Sequence, residues 1–157
     1  MTKLTSIIKY ICNNYPHTSE LSNARLTKMV YLADWNKTKL SGKQLTNIEW
    51  YFNNYGPYVD DIINAARKDP EINVISTTTT YGTPKVQIAC VEGVKADDVS
   101  DEDKQLLDSV FKDTEKLFWN DFIKYVYNTF PIKNNPKHSY LDLVSLAEEE
   151  KSHCKSS

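Results

Sequence analysis

The segment from Ser22 to Gly42 limits most strongly what this chain can fold into. Leu26, Met29, Val30 and Ala33 recur at helical spacing on one face, Ser22 is suited to an N-cap, and Gly42 stands just past the end, where a left-handed residue closes many helices. The pattern predicts a helix over about 22–39 whose apolar face must be covered by the rest of the chain. Its richest apolar stretch, Leu26 to Ala33, is interrupted by Thr27 and Lys28 and falls far short of the roughly 20 residues a membrane-spanning helix needs. A soluble protein with no membrane partner is expected.

Other elements follow from the same rules. Leu4, Ile7, Ile8 and Ile11 mark a helix over 3–14 that stops before Tyr15-Pro16. Ile48 to Phe52 alternates as a half-buried strand, and Asn53 to Pro57 breaks it. Pro57 suits the first turn of a helix, and Val59, Ile62, Ile63 and Ala66 carry that helix to about Arg67. Ile72–Thr80 and Val86–Val91 are rich in β-branched residues, with Tyr81–Pro84 as the turn of a hairpin. Ser100 and Asp103 have capping-box spacing ahead of Leu106, Leu107, Val110, Phe111 and Leu117. Phe118, Phe122 and Val126 extend a further helix to before Phe130-Pro131, and Lys133–Lys137 form a loop. Ser139 with Asp142 predicts a last short helix through Leu141, Val144 and Ala147, ahead of a polar tail from Glu148. The expected fold class is α+β, mostly helical, with about six helices and a small three-stranded antiparallel sheet, as a single domain over 1–150 with a polar tail over 151–157.

Several function classes are disfavoured. There is no βαβ rhythm, and four glycines leave no phosphate-cradling loop. A net charge of −2 gives no basic field for nucleic acid. Cys12, Cys90 and Cys154 are odd in number and far apart, which points to a reducing, cytoplasmic setting, and the N-terminal segment, with Lys9 and Tyr10, does not read as a signal peptide. His17, His138, His153 and the cysteines show no metal-ligand spacing, so neither a metal nor a cofactor is expected.

Among carboxylates, Asp34, Glu49, Asp60 and Asp61 are the candidates for acid/base chemistry, which leaves a small hydrolase using Asp34 with Asp60 or Asp61 as one alternative. Asp60 and Asp61 equally suit the first turn of a helix, and Asp34 a polar network with Tyr31, Trp35 and Lys28. The aromatics are more telling. Trp50, Tyr51, Phe52, Tyr55 and Tyr58 fall within nine residues, and Trp50 and Phe52 should face the core. Tyr51, Tyr55 and Tyr58 are then the candidates for an exposed protein-binding patch.

The segment Leu26-Thr27-Lys28-Met29-Val30-Tyr31-Leu32-Ala33-Asp34, followed by a Gly42 turn, an aromatic strand and Tyr55-Gly56-Pro57-Tyr58-Val59, resembles the Panacea domain, the SocA-like, phage-associated antitoxin domain. The resemblance covers roughly residues 5–130 in order of elements. It implies an antitoxin of a toxin–antitoxin system, not an enzyme, that neutralises a cognate protein toxin by direct contact, the toxin being encoded beside it. The alternative it brings is a proteolytic adaptor that delivers a partner to a protease. Lys28, Tyr31, Asp34, Tyr55, Gly56 and Pro57 match its motif and, with Tyr51 and Tyr58, make up the expected partner-binding set.

Overall fold

The computed structural model describes residues 4–17, 21–96 and 98–156, with side chains through 152. In chain order the elements are α1 (Leu4–Asn14), α2 (Asn23–Ser41), β1 (Trp50–Asn53), β2 (Gly56–Pro57), α3 (Asp61–Lys68), β3 (Ile72–Thr78), β4 (Pro84–Cys90), α4 (Asp101–Thr114), α5 (Trp119–Tyr127), α6 (Phe130–Lys133), β5 (Tyr140–Leu141) and α7 (Leu143–Ser156). The mostly helical α+β class is as the sequence predicts, with seven helices among the described residues. The strands form two antiparallel sheets: one of three strands in the order β2-β1-β5, and the β3-β4 hairpin. The start of the first expected helix, residue 3, lies outside the described residues.

Helix α2 is the centre of the molecule. The Ser22 hydroxyl accepts the Arg25 N–H at 3.1 Å, and Gly42 closes the helix at φ 77° with its N–H on the Thr38 carbonyl. A cap of this kind contributes about 1 kcal/mol. The sequence predicts one apolar face, yet every residue from Arg25 through Trp35 is buried. The reason is packing on all sides: α1, α3, α4, α7, β2 and β4 all contact α2. A helix buried all round is ordinarily apolar all round. Here Arg25, Thr27, Lys28 and Asp34 are buried with it, so each needs a local account.

Around this axis Ile7, Ile8 and Ile11 of α1, Leu107 and Val110 of α4, Phe122 and Val126 of α5 and Leu143 of α7 close one apolar core. The Lys37 ammonium donates to Asp103 at 2.9 Å, tying α2 to the first turn of α4, where Ser100 accepts the Asp103 N–H as expected.

Three local expectations need correction. Pro57 does not open a helix. Gly56 and Pro57 form β2, with Phe52 opposite Pro57 and Asn53 opposite Gly56, and α3 starts at Asp61. A two-residue edge strand tolerates proline because it needs no second ladder. Ser139 does not cap the last helix either. Its carbonyl accepts the Phe52 N–H, Leu141 sits in β5 opposite Trp50, and Asp142 caps α7 by accepting the Ser145 N–H at 3.2 Å. Finally, the polar residues from Glu148 do not leave the helix, since α7 continues to Ser156.

Candidate functional site

The buried polar groups of α2 sort themselves by partner. Asp34, with no exposed surface, accepts from the Thr46 N–H at 2.8 Å, the Thr46 hydroxyl at 2.5 Å, the Trp50 indole N–H at 2.8 Å and the Gln44 amide at 3.4 Å. Burial raises its pKa, and the Thr46 and Trp50 hydrogen bonds oppose the rise. Its network is therefore the 44–50 loop and β1, and the expected partners Tyr31, Trp35 and Lys28 are not in it. The Tyr31 hydroxyl lies 2.8 Å from that of Thr129, and Trp35 stacks on Phe130. Asp60 and Asp61 sit at the exposed start of α3 and are not among the partners of Asp34. Asp34 is an architectural clamp.

Arg25 is equally well provided for, although its importance is not visible in the sequence pattern. Its guanidinium donates to the Tyr15 hydroxyl at 3.1 Å and to the Leu117 and Thr114 carbonyls at 2.8 and 3.4 Å, and it lies 4.4 Å over the Phe122 ring. A cation at the end of α4 also meets the negative end of that helix dipole.

Lys28 differs. Its residue surface is 2% exposed, and no hydrogen bond or ion pair reaches its ammonium among the described residues; Nζ lies 6.0 Å from the centroid of the Trp119 ring. Burial pulls its pKa down to about 8. Gly56 explains how the side chain fits. At φ 106° this residue takes a conformation that favours glycine, and a Cβ there would sit 3.5 Å from Lys28 Cε and 3.3 Å from Tyr127 Cε1. The Tyr-Gly-Pro turn and the lysine of α2 thus interlock.

Above this contact lies a cleft of about 550 Å³ lined by Tyr55, Trp119, Asn120, Ile123, Lys124 and Tyr127. Trp119, Ile123 and Tyr127 stand at i, i+4 and i+8 on α5, along the outer flank of the apolar face that buries Phe122 and Val126. Tyr55 is 81% exposed, Phe118 80% and Trp119 43%. Trp119 and Phe118 also border a second cavity of about 720 Å³ between the start of α2 and the Pro84–Val86 edge of β4. Water therefore meets an aromatic surface on both sides of Trp119.

The expected partner-binding residues are divided by this geometry. Tyr55, Gly56 and Lys28 meet at the cleft. Pro57 is buried in β2, and Tyr31 and Asp34 are interior. Tyr51 and Tyr58 line a different cavity, of about 690 Å³, with Tyr140, Glu49, Asp60 and Asp61. There the Tyr51 and Tyr140 rings meet at 5.0 Å, and the Tyr58 hydroxyl accepts from Asn23 at 2.9 Å. Phe118, Trp119, Ile123 and Tyr127 were absent from the expected set, although the apolar face of α5 to which Trp119, Ile123 and Tyr127 belong is present in the sequence.

Among the described residues no group of three or more His, Cys, Asp or Glu is placed to hold a metal. The side chains of His153 and Cys154 lie outside the described residues. Among the described residues no helix is long and apolar enough to cross a membrane.

Fold and site together define a small mixed α+β domain in which a buried central helix is clamped to an aromatic strand and a Tyr-Gly-Pro turn. Residues 26–131 match the family model of the antitoxin SocA-like, Panacea domain, and the chain belongs to that family, one of antitoxins. Searches of curated proteins and of solved structures returned no match.

Proposed function

We propose that this protein is the antitoxin of a toxin–antitoxin pair, that it neutralises a cognate protein toxin by direct contact in the cytoplasm without catalysis of its own, and that the toxin docks on the aromatic cleft of Tyr55, Trp119, Ile123 and Tyr127. Antitoxin function in general comes with the family. The observation that carries the reading is Lys28, a residue 2% exposed whose ammonium has no hydrogen bond or ion pair among the described residues and lies 6.0 Å from the centroid of the Trp119 ring that lines that cleft.

Two physical features support the reading. Large, rigid aromatics that are half or fully exposed in the free protein are the residue types that dominate protein interfaces, because they bury much area while losing little side-chain entropy. A lysine of this kind weakens the free fold, since its charge is partly desolvated with no ion pair to offset the cost. A toxin that lays an acidic side chain over the cleft would return a partner to Lys28 and bury the rings in the same step. Lys124 on the rim has the same sign, so the expected toxin surface is apolar and acidic.

The test is co-expression with the product of the adjacent gene. The neighbour alone should arrest growth, the pair should grow and copurify, and Tyr55→Ala or Trp119→Ala should abolish both. A harmless neighbour that forms no complex would refute the reading.

A further inference from the structure

The outer edge of β3 is an open template. The Thr79 N–H bonds the Thr83 carbonyl, and the Val91 N–H bonds the Glu71 carbonyl, which fixes 79/83 and 71/91 as hydrogen-bonded pairs of the hairpin. With the register Ile72–Cys90 to Thr78–Pro84, the hydrogen-bonded pairs between them are 73/89, 75/87 and 77/85. Two further facts agree. The Ile88 N–H points away from β3 to the Leu21 carbonyl, and Pro84, which has no N–H, falls at a position that needs none. It follows that the N–H and C=O groups of Val74, Ser76 and Thr78 point outward from β3, and no hydrogen bond reaches them among the described residues.

Proteins usually blunt such an edge with lysine, proline or a bulge. Residues 72–83 hold no charge and no proline, and Ser76, Thr77 and Thr78 are exposed, with Ile75 46% exposed beside them. The edge is also complementary to itself. Turned about a two-fold axis at Ser76, it places Ser76 opposite Ser76 and Val74 opposite Thr78 of a second copy, so every outward N–H meets an outward C=O and no like charges are brought together.

We infer that the protein self-associates through antiparallel β3–β3 pairing centred on Ser76, giving a four-stranded sheet in the order β4-β3-β3-β4 across two copies. This goes beyond toxin docking. The cleft of Tyr55, Trp119, Ile123 and Tyr127 has no β3 residue in its lining, so pairing through β3 leaves that cleft open in both copies. Because the side chains involved are small, the dimer is weak and concentration-dependent.

Sedimentation and light scattering of the purified chain, from low micromolar to millimolar concentration, should show mass rising from 18.1 kDa towards twice that value. Amide exchange at Val74, Ser76 and Thr78 should slow in step, while Ile75 and Thr77, bonded within the hairpin, stay protected throughout. Ser76→Pro removes an N–H that the hairpin does not use and should weaken dimerisation about ten- to a hundredfold by deleting two symmetry-related hydrogen bonds. Ser76→Lys and Ser76→Glu should each be monomeric alone and dimerise when mixed, since the two-fold sets them face to face. A chain that remains monomeric at millimolar concentration, or a dimer indifferent to Ser76→Pro and to the charge pairing, overturns the inference. Neither result bears on whether a toxin binds the cleft.

Discussion

The indole N–H of Trp50 donates to Asp34 Oδ2 at 2.8 Å, joining the middle of the central helix to the first residue of the aromatic strand. Through the same carboxylate the helix also holds the Thr46 N–H and hydroxyl, so one side chain fixes the path of the 44–50 loop. Because β1 then leads into the Tyr-Gly-Pro turn, Asp34 sets where Tyr55 and Gly56 arrive over Lys28.

Replacing Asp34 with Ala should therefore destabilise the protein by about 3 kcal/mol or more, since the buried Thr46 and Trp50 donors lose their acceptor. The urea midpoint should fall with little change in the slope of the transition. An unchanged midpoint would mean that the loop does not depend on the clamp.

Lys28 gives an unusual pH dependence. Its folded pKa, about 8, lies below its ordinary value of 10.5, so between these limits the unfolded chain binds more protons than the folded one, and stability rises with pH. From about pH 7 to about pH 9.5 the gain from this group is about 2 kcal/mol. Above that range the trend reverses, because burial raises the pKa of Tyr10 and Tyr31, and their ionisation then favours the unfolded chain. Lys28→Met should abolish the rise and add about 2 kcal/mol at neutral pH, while weakening toxin binding. Denaturant titrations of both proteins at several pH values check this. A flat profile in the parent protein would show that the ammonium is compensated.

Gly56→Ala tests the interlock. The added methyl group meets a φ of 106° and the Tyr127 ring 3.3 Å away, and should cost roughly 1–3 kcal/mol. Thermal melting reports the loss. Fluorescence quenching of Trp119 by acrylamide should change as well, because Tyr127 must move within the cleft.

Much of this architecture was legible because it is written locally. Ser22, Gly42 and Ser100 announce their helix ends within four residues, and the β-branched runs either side of Tyr81–Pro84 announce the hairpin. What depended on distant chain was not. Gly56-Pro57 serves equally well before a helix or as a short edge strand, and only the contact with Phe52 decides between them. Tyr140–Leu141 is a strand only because β1, some ninety residues earlier, offers it an edge. The burial of Arg25 and Lys28 follows from six elements closing around α2, which no helical period reveals. At the site, the motif pointed to Lys28, Tyr55 and Gly56, but the opposite wall of the cleft comes from Trp119, Ile123 and Tyr127, read in the sequence only as part of a core helix.

The most direct test of the docking surface is growth rescue and affinity measured on the same variants, with the product of the neighbouring gene as partner. Trp119→Ala and Tyr55→Ala should each lose rescue and bind at least about tenfold more weakly, whereas Tyr81→Ala, at a turn 95% exposed and not among the residues that line the cleft, should match the parent. Full rescue and unchanged affinity in both cleft variants would contradict the assignment.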